Sequence, residues 1–177
     1  MQITKPARMH GDGDRMRRTS LHLGYAAAAG SAALLGAAYL YQLAGYAPCT
    51  MCIWQRYPHG VAIALGLALL VLGRSQVVLA LGALAAGTTA ALGLYHTGVE
   101  RDWWDGPSAC TGGASELSGM TGADLLSFDT AETLVLCDEV VWEFLSLSMA
   151  SWNAILSALL AGVWIAALVL SRRAGRA

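Results

Sequence analysis

Charge is what this chain of 177 residues has least of: only 13% of it is Asp, Glu, Lys or Arg, against roughly 25% in soluble domains. Apolar residues make up 56%. That scarcity excludes an ordinary soluble domain. The few charges are also segregated. Apart from Asp12 and Asp14, every acidic residue lies between Glu100 and Glu143. The net charge of -1 therefore averages a basic side with an acidic one and says nothing about partners. The basic residues cluster toward the chain ends without forming an aromatic-flanked patch, which argues against nucleic-acid binding. Two further absences matter. No histidine follows the single C-x-x-C, so haem attachment is excluded, and no βαβ pattern surrounds it, so a soluble redox domain is excluded as well.

The long charge-free intervals are four apolar stretches, at about residues 21–47, 49–73, 76–99 and 151–171. Each is close to the roughly 20 residues that cross a hydrocarbon core of about 30 Å. All are rich in Gly, Ala and Ser, which let membrane helices approach closely. The expected fold is an all-α membrane protein, a four-helix transmembrane bundle. The first stretch follows Arg15, Arg17 and Arg18 but is far longer than the apolar part of a signal peptide, so it is expected to be a retained anchor. The basic residues set the orientation. Lys5, Arg8 and the arginines before span one, Arg74 between spans two and three, and Arg172, Arg173 and Arg176 after span four all fall on one side. The positive-inside rule makes that side, and both termini, cytoplasmic. Residues 1–20 and 172–177 are then basic cytoplasmic tails on a single membrane domain, 21–171. Residues 100–150 form a long periplasmic loop. Trp103, Trp104, Trp142 and Trp152 fall at the outer boundary, as an interfacial aromatic belt requires.

All four cysteines, Cys49, Cys52, Cys110 and Cys137, fall on the outer side by this topology. Disulfides persist there, and an even count suits two pairs. Their depth follows from helix rise. Counting outward from Arg74 at about 1.5 Å per residue, Arg56 is roughly 27 Å away, and Cys52 and Cys49 lie just beyond it. The same count from Ser75 puts His96 at roughly 31 Å, so Arg56 and His96 share one thin layer at the outer interface. A lipid-soluble cofactor could meet a protein thiol in that layer.

The stretch PCTMCIWQR adds local chemistry. Pro48 suits the first position of a helix. Cys49 and Cys52 would lie in its first turns, where the positive end of the helix dipole favours thiolate. Arg56, at i+4 from Cys52, shares its face. A zinc site would need two more ligands at knuckle spacing. Cys110 and Cys137 are far apart, and the adjacent arginine disfavours a dication, so no metal is expected. Two inert structural disulfides are the stronger alternative, but a C-x-x-C bridge closes a small strained loop and makes a better redox group than a staple. His59 lies one turn from Arg56 and faces either the same site or the headgroups. Around Cys110 the loop is rich in Gly and Ser. The stretch DLLSFDTAETLVLCDEVVWEFLSLSM carries apolar residues, among them Val140, Val141, Phe144 and Leu145, at helical spacing, which predicts short amphipathic helices on the membrane surface. Cys137 would be held near Cys49 while Cys110 swings.

Taken together, C-x-x-C with Arg56, then His96-Thr97, then Cys110, Cys137 and WEFLSLSM-x-x-W resemble the disulfide bond formation protein B family, DsbB, across essentially the whole chain. HTGVERDWWDGPSACTGG resembles one subgroup. The vitamin K epoxide reductase family shares the bundle but places its C-x-x-C after its loop cysteines, the reverse of the order here. Gln55 departs from members with an acidic residue before the arginine.

The resemblance implies an inner-membrane thiol oxidase. A reduced periplasmic DsbA-like protein of thioredoxin fold would attack a Cys110–Cys137 disulfide at Cys110. Cys137 would then attack Cys49, and Cys52 would leave as a thiolate and pass electrons to ubiquinone or menaquinone. Arg56 would hold that thiolate and a quinone oxygen, with His96 near the quinone. That a DsbA–DsbB–quinone route keeps the bacterial periplasm oxidising is an established property of the family, and a partner near about -120 mV needs an acceptor of higher potential than glutathione. The alternative is a non-catalytic tetraspan protein whose loop is held by two disulfides.

Overall fold

The structure is a computed structural model that describes residues 8–107, 110 and 136–176. It contains four long helices: α1 Arg8–Leu43, α2 Thr50–Leu72, α3 Gln76–Glu100 and α4 Met149–Ala174. All four are long and apolar enough to cross a membrane, so the expected four-helix bundle is the observed architecture. Each helix packs on its sequence neighbour and α4 returns to α1, closing a ring, while α1 and α3 barely touch across the diagonal.

The helices begin and end where local chemistry requires. α1 stops at a glycine in the left-handed region, Gly45 with φ 99°. The Tyr46 amide donates to the Tyr41 carbonyl and the Gly45 amide to Gln42, the paired bonds of a Schellman cap. The α2–α3 turn passes through Gly73, also left-handed, to the N-cap Ser75, whose hydroxyl accepts from the Val78 amide. Ser148 caps α4 in the same way, accepting from Ser151. α2 runs on through Pro58; the missing N–H leaves the Trp54 carbonyl without its helical donor, a loss that membrane helices tolerate.

The apolar core lies toward the end of the bundle that carries Arg74 and Arg172. Trp164 is completely buried there with Ala27, Leu69, Leu79 and Ala86. Close approach depends on missing side chains: a Cβ on Gly82 would stand 2.6 Å from the Trp164 ring, and one on Gly93 would stand 2.9 Å from the α4 backbone at Ala154. Leu67, Leu70, Val71, Leu84 and Leu159 face outward, as lipid contact demands. Arg74 donates to the Ser171 carbonyl at 2.7 Å, so the basic ends of α2 and α4 meet at one end of the bundle.

One expectation is corrected. The helix predicted through Val140, Val141, Phe144 and Leu145 does not form. Instead Glu143–Phe144 (β1) pairs antiparallel with Leu147–Ser148 (β2) around a two-residue turn. Leu145 and Ser146 both have positive φ, 53° and 60°, the geometry of a type I′ hairpin. The apolar spacing here serves an aromatic cluster. Trp142 stacks on Phe144, and Phe144 packs on Trp152. The rest of the predicted amphipathic segment lies outside the described residues.

Candidate redox site

The site is built at the other end of the bundle, on the first turn of α2. Helix α2 starts at Thr50, so Cys49, not Pro48, occupies the boundary. Cys49 is the N-cap, extended at φ -74°, ψ 171°, and its sulfur accepts from the Cys52 amide at 3.2 Å. Proline instead precedes the cap. Capping by sulfur satisfies one of the orphan amides of the helix and brings the two sulfurs to 2.9 Å, with the Cys49 thiol donating to Cys52 Sγ. That contact, followed by burial, pushes the Cys49 thiol well above its ordinary range. Both cysteines were expected to be favoured as thiolates by the helix dipole; at Cys49 the neighbouring sulfur and burial outweigh it, and Cys52 is the sulfur that accepts.

Cys110 and Cys137 form a disulfide, Cα atoms 5.0 Å apart, and both are buried. Cys110 is therefore anchored, not swinging, in this state. Cys137 lies beside the C-x-x-C. Ligand atoms of Cys49, His96 and Cys137 all fall within 4.8 Å of one another, a cluster that spacing alone did not anticipate; with Cys137 bonded to Cys110, it offers a metal only the Cys49 sulfur and the His96 ring. His96 Nε2 lies 3.6 Å from Cys49 Sγ, 3.2 Å from the Cys137 carbonyl and 3.9 Å from Glu100.

Arg56 takes a different place from the one its spacing suggested. Its Nη1 donates to Gln42 Oε1 at 2.7 Å, and its guanidinium lies 4.7 Å over the Tyr39 ring. These contacts turn it toward α1. Its Nε is buried with no hydrogen-bond partner among the described residues.

Beside the sulfurs lies an apolar cavity of about 380 Å³ whose wall includes Cys52, Arg56, Tyr41, Trp142, Phe144 and Trp152. It is bounded by α1, α2 and α4 and reaches His96 on α3. This volume is in the range of small-molecule sites. The aromatics form an arc: Tyr41 packs on Tyr46 and Trp142 at 5.7 and 5.3 Å between ring centroids.

Of the polar residues at the site, Asn153 and Glu100 were not singled out from the sequence, and His59, left there between the site and the headgroups, is buried in the site. Gln55, His59 and Asn153 join His96 in a buried chain across α2, α3 and α4, with contacts of 3.0 Å for Gln55–His96, 2.6 Å for Asn153–Gln55 and 2.9 Å for His59–Asn153. Glu100 accepts a short hydrogen bond from the Ser148 hydroxyl, tying the end of α3 to the start of α4. The available signal was polar pairs at i,i+4 in otherwise apolar helices, Gln55 with His59 and His96 with Glu100, since polar groups within a span are costly and face the interior.

Neither curated proteins nor solved structures gave a match. The family described as disulfide bond formation protein DsbB matches residues 19–167. That range holds α2 and α3 whole, α1 from residue 19 and α4 to residue 167, together with every cysteine. On this match and the geometry it accompanies, the chain belongs to the DsbB family, membrane proteins of disulfide bond formation.

Proposed function

We propose that this protein is an inner-membrane protein-dithiol:quinone oxidoreductase that reoxidises a periplasmic DsbA-type dithiol protein. The observation that carries the reading is the convergence of the two cysteine pairs, with Cys49, His96 and Cys137 within 4.8 Å, against an apolar cavity walled by Cys52 and Arg56.

The thiol chemistry follows from this order of sulfurs. A thiolate of the partner attacks Cys110, and the Cys110–Cys137 bond breaks with its electron pair on Cys137. In the oxidised form, with Cys49 and Cys52 joined as a disulfide, Cys137 is beside Cys49 and attacks it; the Cys49–Cys52 bond breaks and Cys52 leaves as the thiolate. Cys52 is suited to that role because it is the sulfur that accepts from Cys49. The partner's second thiol then closes its own disulfide and frees Cys110. Cys110 thiolate takes back Cys137, restoring the loop disulfide and leaving Cys49 and Cys52 reduced. The partner has lost two electrons and two protons.

The residues around the cavity fit a quinone as the acceptor. Arg56 Nε is buried without a partner among the described residues, so its N–H is open to a ring carbonyl oxygen, and the aromatic arc offers flat apolar faces. The chemistry a bound quinone supplies is that of a two-electron, two-proton acceptor for the Cys49–Cys52 dithiol. Ubiquinone and menaquinone both meet that description. The cavity wall would hold the ring beside Cys52 and limit the access of bulk water to the sulfurs.

The test is quinone reduction by the purified protein in detergent with a reduced DsbA-like donor, comparing wild type with Cys52→Ser and Cys110→Ser. Turnover in wild type, lost in both variants, is the expected result. No quinol from wild type with several donors and both quinones would leave the cysteines as structural bridges in a non-catalytic tetraspan protein.

A further inference from the structure

His96 carries a hydrogen-bonding constraint that decides which of its nitrogens bears the proton. Four protein groups that can only accept or are already committed fix the polarity of the buried chain. The Met51 carbonyl can only accept, and the Gln55 side chain lies 3.1 Å from it, so the group facing it is the amide NH2. That same Nε2 lies 3.0 Å from His96 Nδ1, so Nδ1 presents its lone pair. At the other end of Gln55, Oε1 accepts from Asn153 Nδ2 at 2.6 Å. Asn153 is oriented independently. Thr89 gives its hydroxyl proton to the Gln55 backbone carbonyl at 3.1 Å, which leaves only its lone pairs for Asn153 Nδ2 at 3.3 Å. Asn153 Oδ1 therefore faces His59 Nε2.

The far side of His96 agrees. Nε2 lies 3.2 Å from the Cys137 carbonyl, again a pure acceptor, so Nε2 carries the hydrogen. Backbone carbonyls on both sides thus impose one tautomer, with Nδ1 bare and Nε2 protonated. The ring has room for a single N–H. Its other near neighbours are the sulfur of Cys49 at 3.6 Å and the Glu100 carboxylate, farther off at 3.9 Å.

We propose that His96, held as the Nε2–H tautomer by Gln55, donates to the Cys49 sulfur as that sulfur leaves as a thiolate, and that Gln55, Asn153 and Thr89 are positioning residues for this donor. The inference rests on the oxidase reading above. The step is the return of Cys137 to Cys110: the Cys110–Cys137 bond forms, the Cys137–Cys49 bond breaks, and the electron pair stays on Cys49 with no proton transferred. Cys49 is the sulfur least suited to hold charge, being buried and pressed against a second sulfur. A fixed N–H donor compensates for that at the moment the charge appears, because hydrogen bonds to charged groups are the stronger kind. Gln55 suits this task better than a carboxylate would, since a carboxylate only accepts and would draw the proton to Nδ1.

The experiment uses full-length protein labelled with 15N-histidine in detergent, with the His96 ring identified by its absence in His96→Phe. Ring nitrogen correlations are expected to place the proton on Nε2 in wild type. Gln55→Glu is expected to move it to Nδ1, and Gln55→Leu, which leaves only the Cys137 carbonyl to hold the proton on Nε2, to weaken the preference. A proton on Nδ1 in wild type, or a ring state unchanged by both substitutions, overturns the inference. In the same preparations, single-turnover oxidation of a reduced DsbA-like donor should slow by about tenfold or more in His96→Phe. His96→Gln, which retains an N–H, should keep the larger part of the rate; equal loss in the two variants would refute the donor role. A wild type without oxidase activity overturns the reading on which the step rests, while the ring spectra still decide the tautomer.

Discussion

Cys49 and Cys52 share one helical turn yet differ in what surrounds them. Cys49 is capped and buried, with its thiol pushed up by the Cys52 contact first and by burial second, whereas Cys52 borders the cavity. In the reduced protein a raised thiol keeps its proton as the pH climbs through the ordinary thiol range. Iodoacetamide at pH 7 to about 9 should therefore modify Cys52 first and Cys49 slowly, read by peptide mass mapping; equal rates would contradict this asymmetry. Arg56 is the second residue with a distinct prediction. On the proposed reading its Nε, unpartnered among the described residues, is the donor offered to a quinone, so Arg56→Ala should raise the KM for quinone by about tenfold. Arg56→Lys should restore little, because lysine has no N–H at that point on the side chain. Both cysteine positions, and Arg56 and His96 as a polar layer, were legible from span boundaries and helix rise. The partner of Arg56 was not: Gln42 is on another helix, and only the packing of α1 on α2 brings them together.

At the level of elements, the four helices were legible because each is a long apolar run bounded by charge or glycine. The β1–β2 hairpin was not. Val140, Val141, Phe144 and Leu145 have helical spacing, and the turn uses Leu145 and Ser146 where Asn-Gly is the usual signal. A branched aliphatic residue at φ 53° is strained by about 1 kcal/mol or more. Leu145→Gly should relieve that strain and raise the thermal midpoint of the detergent-solubilised protein. Leu145→Val should lower it, since a β-branched side chain tolerates this backbone less. A midpoint that ignores both substitutions would mean the hairpin does not contribute to cooperative unfolding. The buried chain His59–Asn153–Gln55–His96 was hidden for a related reason. Gln55 and His59 sit one turn apart on α2, but His96 and Asn153 sit on α3 and α4, and no local pattern encodes the register among the three helices.

For the whole molecule, the segregation of charge in the sequence reappears as two chemically different ends. Arg74 and Arg172 lie at one end of the bundle, the cysteines and Glu100 at the other. Orientation in the membrane is then a direct test. In a cysteine-free background, a single cysteine at Glu139 should react with a membrane-impermeant maleimide in cells whose outer membrane has been opened. One at Arg176 should react only after the inner membrane is disrupted, and the reverse pattern would invert the proposed topology.

The closed ring of helices has four seams, and the chain bridges three of them: α1 to α2, α2 to α3 and α3 to α4. The fourth, between α1 and α4, is crossed by no connection, and the cavity wall draws on both of those helices, Leu34 to Tyr41 on one and Met149 to Leu156 on the other. At the cavity level Trp142, which precedes α4, packs on Tyr41 of α1 and spans that seam, while the packing around Trp164 fills the opposite end. On the proposed reading, a ligand with a flat head and a long apolar tail would meet the sulfurs with its head at this seam and leave its tail in the bilayer.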